Sequence, residues 1–360
     1  MNQPLFSMRT LYVSRTPADS SVYPTISAAL DAIPMDLNEP ACIYLAPGIY
    51  HEKITINKPY LTILGTGKSN KDVVLTYDDY ALAPMADIGK LGTFRSYSVF
   101  IDTHDVTLQN LTIENASGDS LTHGQAIALY ADGDRLVIDS CRLIGHQDTL
   151  FTGPLPPKEI EPDGFIGPKQ FAPRINGRQY YKNCYICGDI DFIFGSATAY
   201  FENCVIESLC LTTNVNDIQG YITAASTPES QEYGYVFSNC KLISKDCPPN
   251  SVYLGRPWRN YAKTVFLECA LGNHIHECGF HDWKKEDARN TVLYAEYRNY
   301  PAYSADTTSN NRTLNDDIHS IDSRCIPYPH RAEYVCELDA VQAEHFSKEN
   351  VLSGADYWNP

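Results

Sequence analysis

The stretch RQYYKNCYICG, Arg178 to Gly188, is followed closely by TAYFENCVIES, Thr198 to Ser208. Both read alike: aromatic or branched residues, a small polar residue, a cysteine, then a second apolar run. The form recurs in RLVIDSCRLIG (135–145), GYVFSNCKLIS (234–244) and KTVFLECALG (263–272). Alignment puts Asn110, Ser140, Asn183, Asn203, Asn239 and Glu268 at one turn position, and Cys141, Cys184, Cys204, Cys240 and Cys269 directly follow all but the first of them. Self-similarity every few tens of residues marks a solenoid, because one coil cannot bury its apolar face until another stacks on it. The intervals are unequal, so loop lengths differ, and long loops on one side of a stack are where a substrate site is built. In such a stack the Asn side chains are expected to hydrogen-bond along a column, with the cysteines filling the interior as small reduced hydrophobes.

Outward from the repeat, Ile26, Ala29, Leu30 and Ile33 lie at i, i+3, i+4 and i+7 ahead of Pro34, which predicts an amphipathic helix covering one end of the stack. The expected organisation is a single domain over 1–360: a cap at 1–40, coils at 41–300, and a tail at 301–360. The tail begins polar and turn-rich (YPAYSADTTSNNRTLNDD) and carries a helix near Ala340–Phe346. GPLPPKEIEPDGFIGPKQFAPR, residues 153–174, breaks the strand pattern with prolines and glycines and reads as a long excursion between coils.

With 44 acidic and 28 basic residues the net charge is −16, which argues against nucleic-acid or anionic-membrane partners. No stretch approaches a membrane span, and MNQPLFSMRTLYVS lacks the basic start and apolar run of a secretory signal, so a cytoplasmic product is expected. Twelve cysteines in so long a chain match no small disulfide scaffold, and the CxxC of Cys184 and Cys187 has no second half for zinc.

The chain carries no GxSxG, HExxH, Walker or dinucleotide glycine motif. His274, His276 and His281 read as turn histidines rather than metal ligands, and no metal or cofactor is expected. What remains is Asp148, Asp191, Gln125, Gln147, Arg256 and Trp258. Two neighbouring carboxylates drive their proton affinities apart, which would serve a glycosidase as well as an esterase. The glutamines favour acyl transfer, where neutral amide donors stabilise a tetrahedral oxyanion, and an arginine beside one Asp keeps it ionised. Gln147 and Asp148 point to opposite faces of a straight strand, so the chain must bend there, and Gly145 is the residue expected to allow it.

The motifs GIYHEK (48–53), GQAIAL (124–129), GHQDTLF (145–151), DFIFG (191–195) and LGRPW (254–258), with weaker matches at TISAALDAIP (25–34) and DWKKEDARNTVLYAEYRN (282–299), resemble the pectin methylesterases, carbohydrate esterases that demethylate polygalacturonate. The resemblance implies an all-β, single-stranded right-handed parallel β-helix with an N-terminal capping helix and a C-terminal helical or irregular tail. It further implies Asp191 as nucleophile, Asp148 as acid and base, Gln125 and Gln147 as anion hole, Arg256 holding Asp191, and Trp258 offering a flat face to a sugar. Phe151 and Phe194 are further substrate contacts, Phe151 standing where the family often has tyrosine; Gly48, Tyr50 and Glu52 are structural. The substrate expected is methylated pectin or an oligogalacturonide, with the excursion walling the cleft in favour of short chains, and the protein a monomer. A polysaccharide-cleaving glycosidase or lyase on the same scaffold, and a non-catalytic carbohydrate-binding solenoid, are the alternatives.

Overall fold

Short apolar runs separated by single turn residues stack coil upon coil in the computed structural model, which describes residues 8–34, 39–86, 89–302 and 330–360. Most of the polar stretch read at 300–317, and the first seven residues, lie outside these. A typical coil runs Leu136–Asp139, Arg142–Ile144, Leu150–Thr152, and the next runs Arg178–Lys182, Tyr185–Gly188, Ile190–Gly195. Each strand pairs in parallel with its equivalent one coil on: Leu136 with Gln179, Arg142 with Tyr185, Leu150 with Ile193. Three parallel sheets of twelve, nine and seven strands result, and the fold is a parallel β-helix. No helix among the described residues is long and apolar enough to cross a membrane.

The aligned turn position is a column of left-handed residues: Asn110, Ser140, Asn183, Asn203, Asn239 and Glu268 all have φ of 53–54°. Asparagine tolerates that conformation better than most residues, which accounts for its recurrence. The expected ladder of Asn side chains does not form. Asn110 Nδ2 reaches back to the Gly65 and Gly67 carbonyls, Asn239 Nδ2 donates to its neighbour Ser238, and the coils are joined at this column by backbone bonds such as Asn183 N–H to Glu202 O at 3.0 Å. The cysteines that follow are buried, and among the described residues none is in a disulfide. Each thiol donates to a carbonyl of the preceding coil, as Cys184 Sγ does to Ile138 O at 3.1 Å.

Inside the long sheet Tyr181, Phe201, Phe237 and Phe266 stack face to face at 4.6, 4.4 and 4.5 Å. Phe237 sits mid-ladder with no exposed surface, so Phe237→Ala leaves a cavity its two ring neighbours cannot fill. The expected loss is about 3–5 kcal/mol, read by denaturant unfolding.

The predicted N-terminal helix closes one end of the stack, and the C-terminal helices lie on its flank. α1 (Ile26–Asp31) is capped by Thr25, and Glu52 accepts the N–H groups of Ile26 and Ser27 at 3.0 and 3.1 Å. Glu52 of GIYHEK thus fastens the cap, while Tyr50 is buried and bonds Ala46 O at 2.8 Å within the first coil. A second four-residue helix, α2 (Ser120–His123), precedes Gln125. At the C-terminus α3 (Ala340–Glu344), with a capping box between Asp339 and Gln342, and α4 (Lys348–Leu352) cover the outer face of the long sheet. There Phe346, Val351 and Leu352 pack with Tyr180, Tyr200 and Val236.

Candidate active site

The seven-stranded sheet carries the motif residues. Its strands Val99–Ile101, Leu129–Ala131, Leu150–Thr152 and Ile190–Gly195 are in register, and alternation sends Phe100, Tyr130, Phe151 and Phe194 to the outer face as one row. The row is roofed. Phe94, Phe165 and Leu155 close over it, the last two from the 153–174 excursion, and Trp258 packs at 5.7 Å from Phe194 and 6.3 Å from Phe165. Phe151 has no exposed surface and Phe194 is 4% exposed. Neither ring is open to a sugar, contrary to expectation; the row is an outer hydrophobic core because the excursion has covered it. Trp258 stays partly exposed.

The excursion is firmly held. Arg174 clasps its own loop through the carbonyls of Pro156, Lys169, Gln170 and Ala172, Lys169 pairs with Asp102 at 2.6 Å, and Arg259 donates to Lys158 O at 2.9 Å.

Just before this row the chain bends. Asp148 has φ of 65°, while Asp191, at φ 50°, lies in a bulge where the register shifts between Ile190 and Ile193. Left-handed conformations cost about 1–3 kcal/mol for ordinary residues and gather at functional sites. The bend is therefore in Asp148 itself. Gly145, expected to supply it, is instead required by close packing, since a Cβ there would stand 2.7 Å from Thr149 Oγ1. The two bends are joined directly, Asp148 N–H donating to Ile190 O at 3.0 Å, and Ala126 N–H donates to Gln147 O at 3.0 Å, so the segments bearing both Gln and both Asp converge.

Arg256 grips Asp191 with two parallel bonds, Nε to Oδ1 at 2.8 Å and Nη2 to Oδ2 at 2.7 Å. The guanidinium is itself sandwiched, 3.9 Å from the Tyr221 ring and 3.7 Å from that of Trp283, which fixes its plane. Asp148 is 7% exposed, and its carboxyl meets no donor among the described residues. Burial, then the negative charge of Asp191, lifts its proton affinity well above the carboxylate range. Burial also raises Asp191, but Arg256 pulls it back. The proton of the pair therefore rests on Asp148 and the charge on Asp191. Gln125 and Gln147 are half-buried, and among the described residues their side-chain amides have no protein partner. Lys285, held by the Pro257 and Trp258 carbonyls, is pushed down to about 8 by burial and the nearby arginines.

His276 and His281 each accept a backbone N–H through Nδ1, from Cys278 and Trp283, and both pack against Tyr253; His274 is buried. Sequence reading misses Tyr221, Trp283 and Lys285. The last two lie in DWKKEDARN, where an aromatic among lysines was the available signal, whereas Tyr221 gave none.

The Pectinesterase family profile matches residues 13–154 and 174–323, leaving out the excursion. Pectinesterase 31 of Arabidopsis thaliana is 32% identical over 297 residues, which is 81% of this chain and 83% of that protein. Among solved structures, pectin methylesterase PemA from Erwinia chrysanthemi aligns with a TM-score of 0.72 at 26% identity, over 98% of this chain and 99% of that one. A pectin methylesterase crystallised with a hexasaccharide gives 0.73 at 26% identity, over 98% and 100%.

Proposed function

The chain belongs to the pectinesterase family of carboxylic ester hydrolases, and we propose that it hydrolyses galacturonate methyl esters through Asp191 as nucleophile and Asp148 as acid and base. The observation that carries this assignment is the contrast between the two buried carboxyls: one gripped by a bidentate arginine, the other meeting no donor among the described residues, so that burial and the neighbouring charge raise its proton affinity. An Asp191 oxygen attacks the ester carbonyl, and the carbonyl oxygen takes up the charge facing the free amides of Gln125 and Gln147. The tetrahedral intermediate collapses by breaking the C–OCH3 bond. Asp148 delivers its proton to the departing oxygen, and methanol leaves an acyl–Asp191 anhydride. Asp148, now a carboxylate, removes a proton from water as its oxygen attacks the acyl carbon; the bond from that carbon to Asp191 breaks, restoring the Asp191 carboxylate and protonated Asp148, and the freed galacturonic acid gives its proton to solvent. Trp258, which is partly exposed, is the aromatic that contacts a sugar ring.

Gln125→Ala and Gln147→Ala are each expected to lower kcat by about 10²–10³-fold with KM little changed, since an oxyanion donor acts in the transition state. Unchanged kcat in both variants refutes the anion hole.

Short substrates follow from the excursion, which interrupts the family match and roofs the outer aromatic row with Phe165 and Leu155. A long polymer laid across that sheet meets this wall, whereas a short oligomer reaches Trp258 from one side. Methanol release per ester is expected to be faster from methylated oligogalacturonides than from long pectin. Equal or faster turnover of the polymer contradicts the reading.

A further inference from the structure

Two residues before Asp191 lies a third carboxylate that the reaction does not consume. Asp189 is 2% exposed, and a charge so far out of water must be met by donors. It has three: Ser120 Oγ at 2.5 and 2.7 Å, the Ile190 backbone N–H at 2.6 Å, and His146 Nδ1 at 3.1 Å. Ser120 Oγ in turn accepts the backbone N–H of Gln147 at 3.0 Å. The main chain of Asp189 is tied to the same surroundings, its N–H donating to His146 O at 3.2 Å and its C=O accepting Tyr221 N–H at 3.0 Å.

Ser120 opens α2, which leads into Gln125. His146 and Gln147 immediately precede Asp148, and Ile190 begins the bulge that turns Asp191 toward Arg256. Tyr221 is one of the two rings clamping that arginine. One buried carboxylate thus meets the three segments that carry Gln125, Gln147 with Asp148, and Asp191, and the strand whose Tyr221 packs on Arg256.

We propose that Asp189, acting through Ser120 and His146, is a positioning residue that holds the Gln147–Asp148 turn against the Asp191 bulge. The inference rests on the roles of Asp191 and Asp148 given above. A displacement of about 1 Å between acid and nucleophile is enough to cost roughly 10²-fold in rate, and among the described residues Ser120 is the only acceptor of the Gln147 N–H.

The charge of Asp189 supplies a readout that a purely structural residue lacks. Asp148 faces Asp191, Arg256 and Asp189; Asp191 faces Arg256, Lys285 and Asp189; in both sets Asp189 favours the protonated carboxyl. His146, raised by its bond to Asp189, also faces Asp119. Removing the negative charge at position 189 therefore lets Asp148 give up its proton at lower pH. Because Asp148 must be protonated to release methanol, the alkaline limb of the rate profile moves toward acid.

The test is methanol release as a function of pH by the full chain and by Asp189→Asn, Ser120→Ala and Ser120→Thr, with folding checked by thermal unfolding. For Asp189→Asn the expected result is a fall in kcat of about 10- to 100-fold, a nearly unchanged KM, and an alkaline limb displaced to lower pH. Ser120→Ala falls similarly in rate, and Ser120→Thr, which keeps the hydroxyl, recovers most of it. Wild-type kcat in Asp189→Asn, or a reduced kcat with an unmoved limb, overturns the inference. Should Asp189→Asn not fold, the Ser120 pair decides: loss in Ala with recovery in Thr supports positioning, and equal rates in both variants overturn it. Asp148→Asn runs alongside. Its inactivity beside an unaffected Asp189→Asn means that positioning alone has failed, whereas full activity in Asp148→Asn means that the mechanism itself is wrong.

Discussion

Asp191→Asn is expected to lower kcat for methanol release by about 10⁴-fold or more, as removal of a covalent nucleophile does elsewhere, with substrate binding largely kept. The amide is nearly isosteric but cannot attack the ester carbonyl, and it offers Arg256 one neutral oxygen in place of two charged ones. Arg256 does not collapse into the gap, because Tyr221 and Trp283 hold its plane from both sides. The variant should therefore fold, and steady-state kinetics on folded protein is the check. A residual rate within tenfold of the parent would mean that Asp191 is only the arginine's structural partner.

Asp148→Asn is expected to cost about 10²–10⁴-fold, the usual worth of a positioned acid and base. Its defect should depend on the leaving group. Methoxide is a poor leaving group and needs a proton, whereas a trifluoroethoxide leaves with less help, so a trifluoroethyl ester should recover much of acylation in Asp148→Asn and almost none in Asp191→Asn. The parent enzyme's pH profile carries the same logic. Asp191 must be ionised, so activity is lost as pH falls through its raised value; Asp148 must be protonated, so activity is lost as pH rises through its still higher one. The optimum is thus shifted upward from the ordinary carboxylate range, and the two limbs belong to the pair rather than to either residue alone. A flat profile between the carboxylate range and neutrality, or equal defects with both leaving groups, contradicts this division of labour.

Local pattern in the sequence carries the coil repeat, because each strand must alternate and each turn must end in the same strained residue; Asn183-Cys184 and Asn203-Cys204 are the plainest instances. The α1 stripe is equally local. What one coil contributes to the next is not. That Ser120, His146 and Asp189 meet depends on how three coils of unequal length stack, and no spacing in the chain announces it. The sequence points to Gly145 as the residue that lets the strand bend between Gln147 and Asp148, yet the strained residue at this site is Asp148 itself. Phe151 and Phe194 face outward as strand alternation requires, but the excursion, unlike anything in the repeat, brings Phe165 and Leu155 over them and turns an open face into a core. The grip of Arg256 on Asp191 joins motifs 65 residues apart, and only the resemblance of LGRPW and DFIFG to a known set paired them in advance.

The most direct test of the central claim is methanol release from highly methylated pectin and methylated oligogalacturonides by the intact chain and by Asp191→Asn at equal folded concentration. Methanol from the intact chain, at least about 10⁴-fold less from the variant, and no new reducing ends from either is the predicted result. Methanol at comparable rates from both, or new reducing ends or unsaturated products in place of methanol, would contradict it.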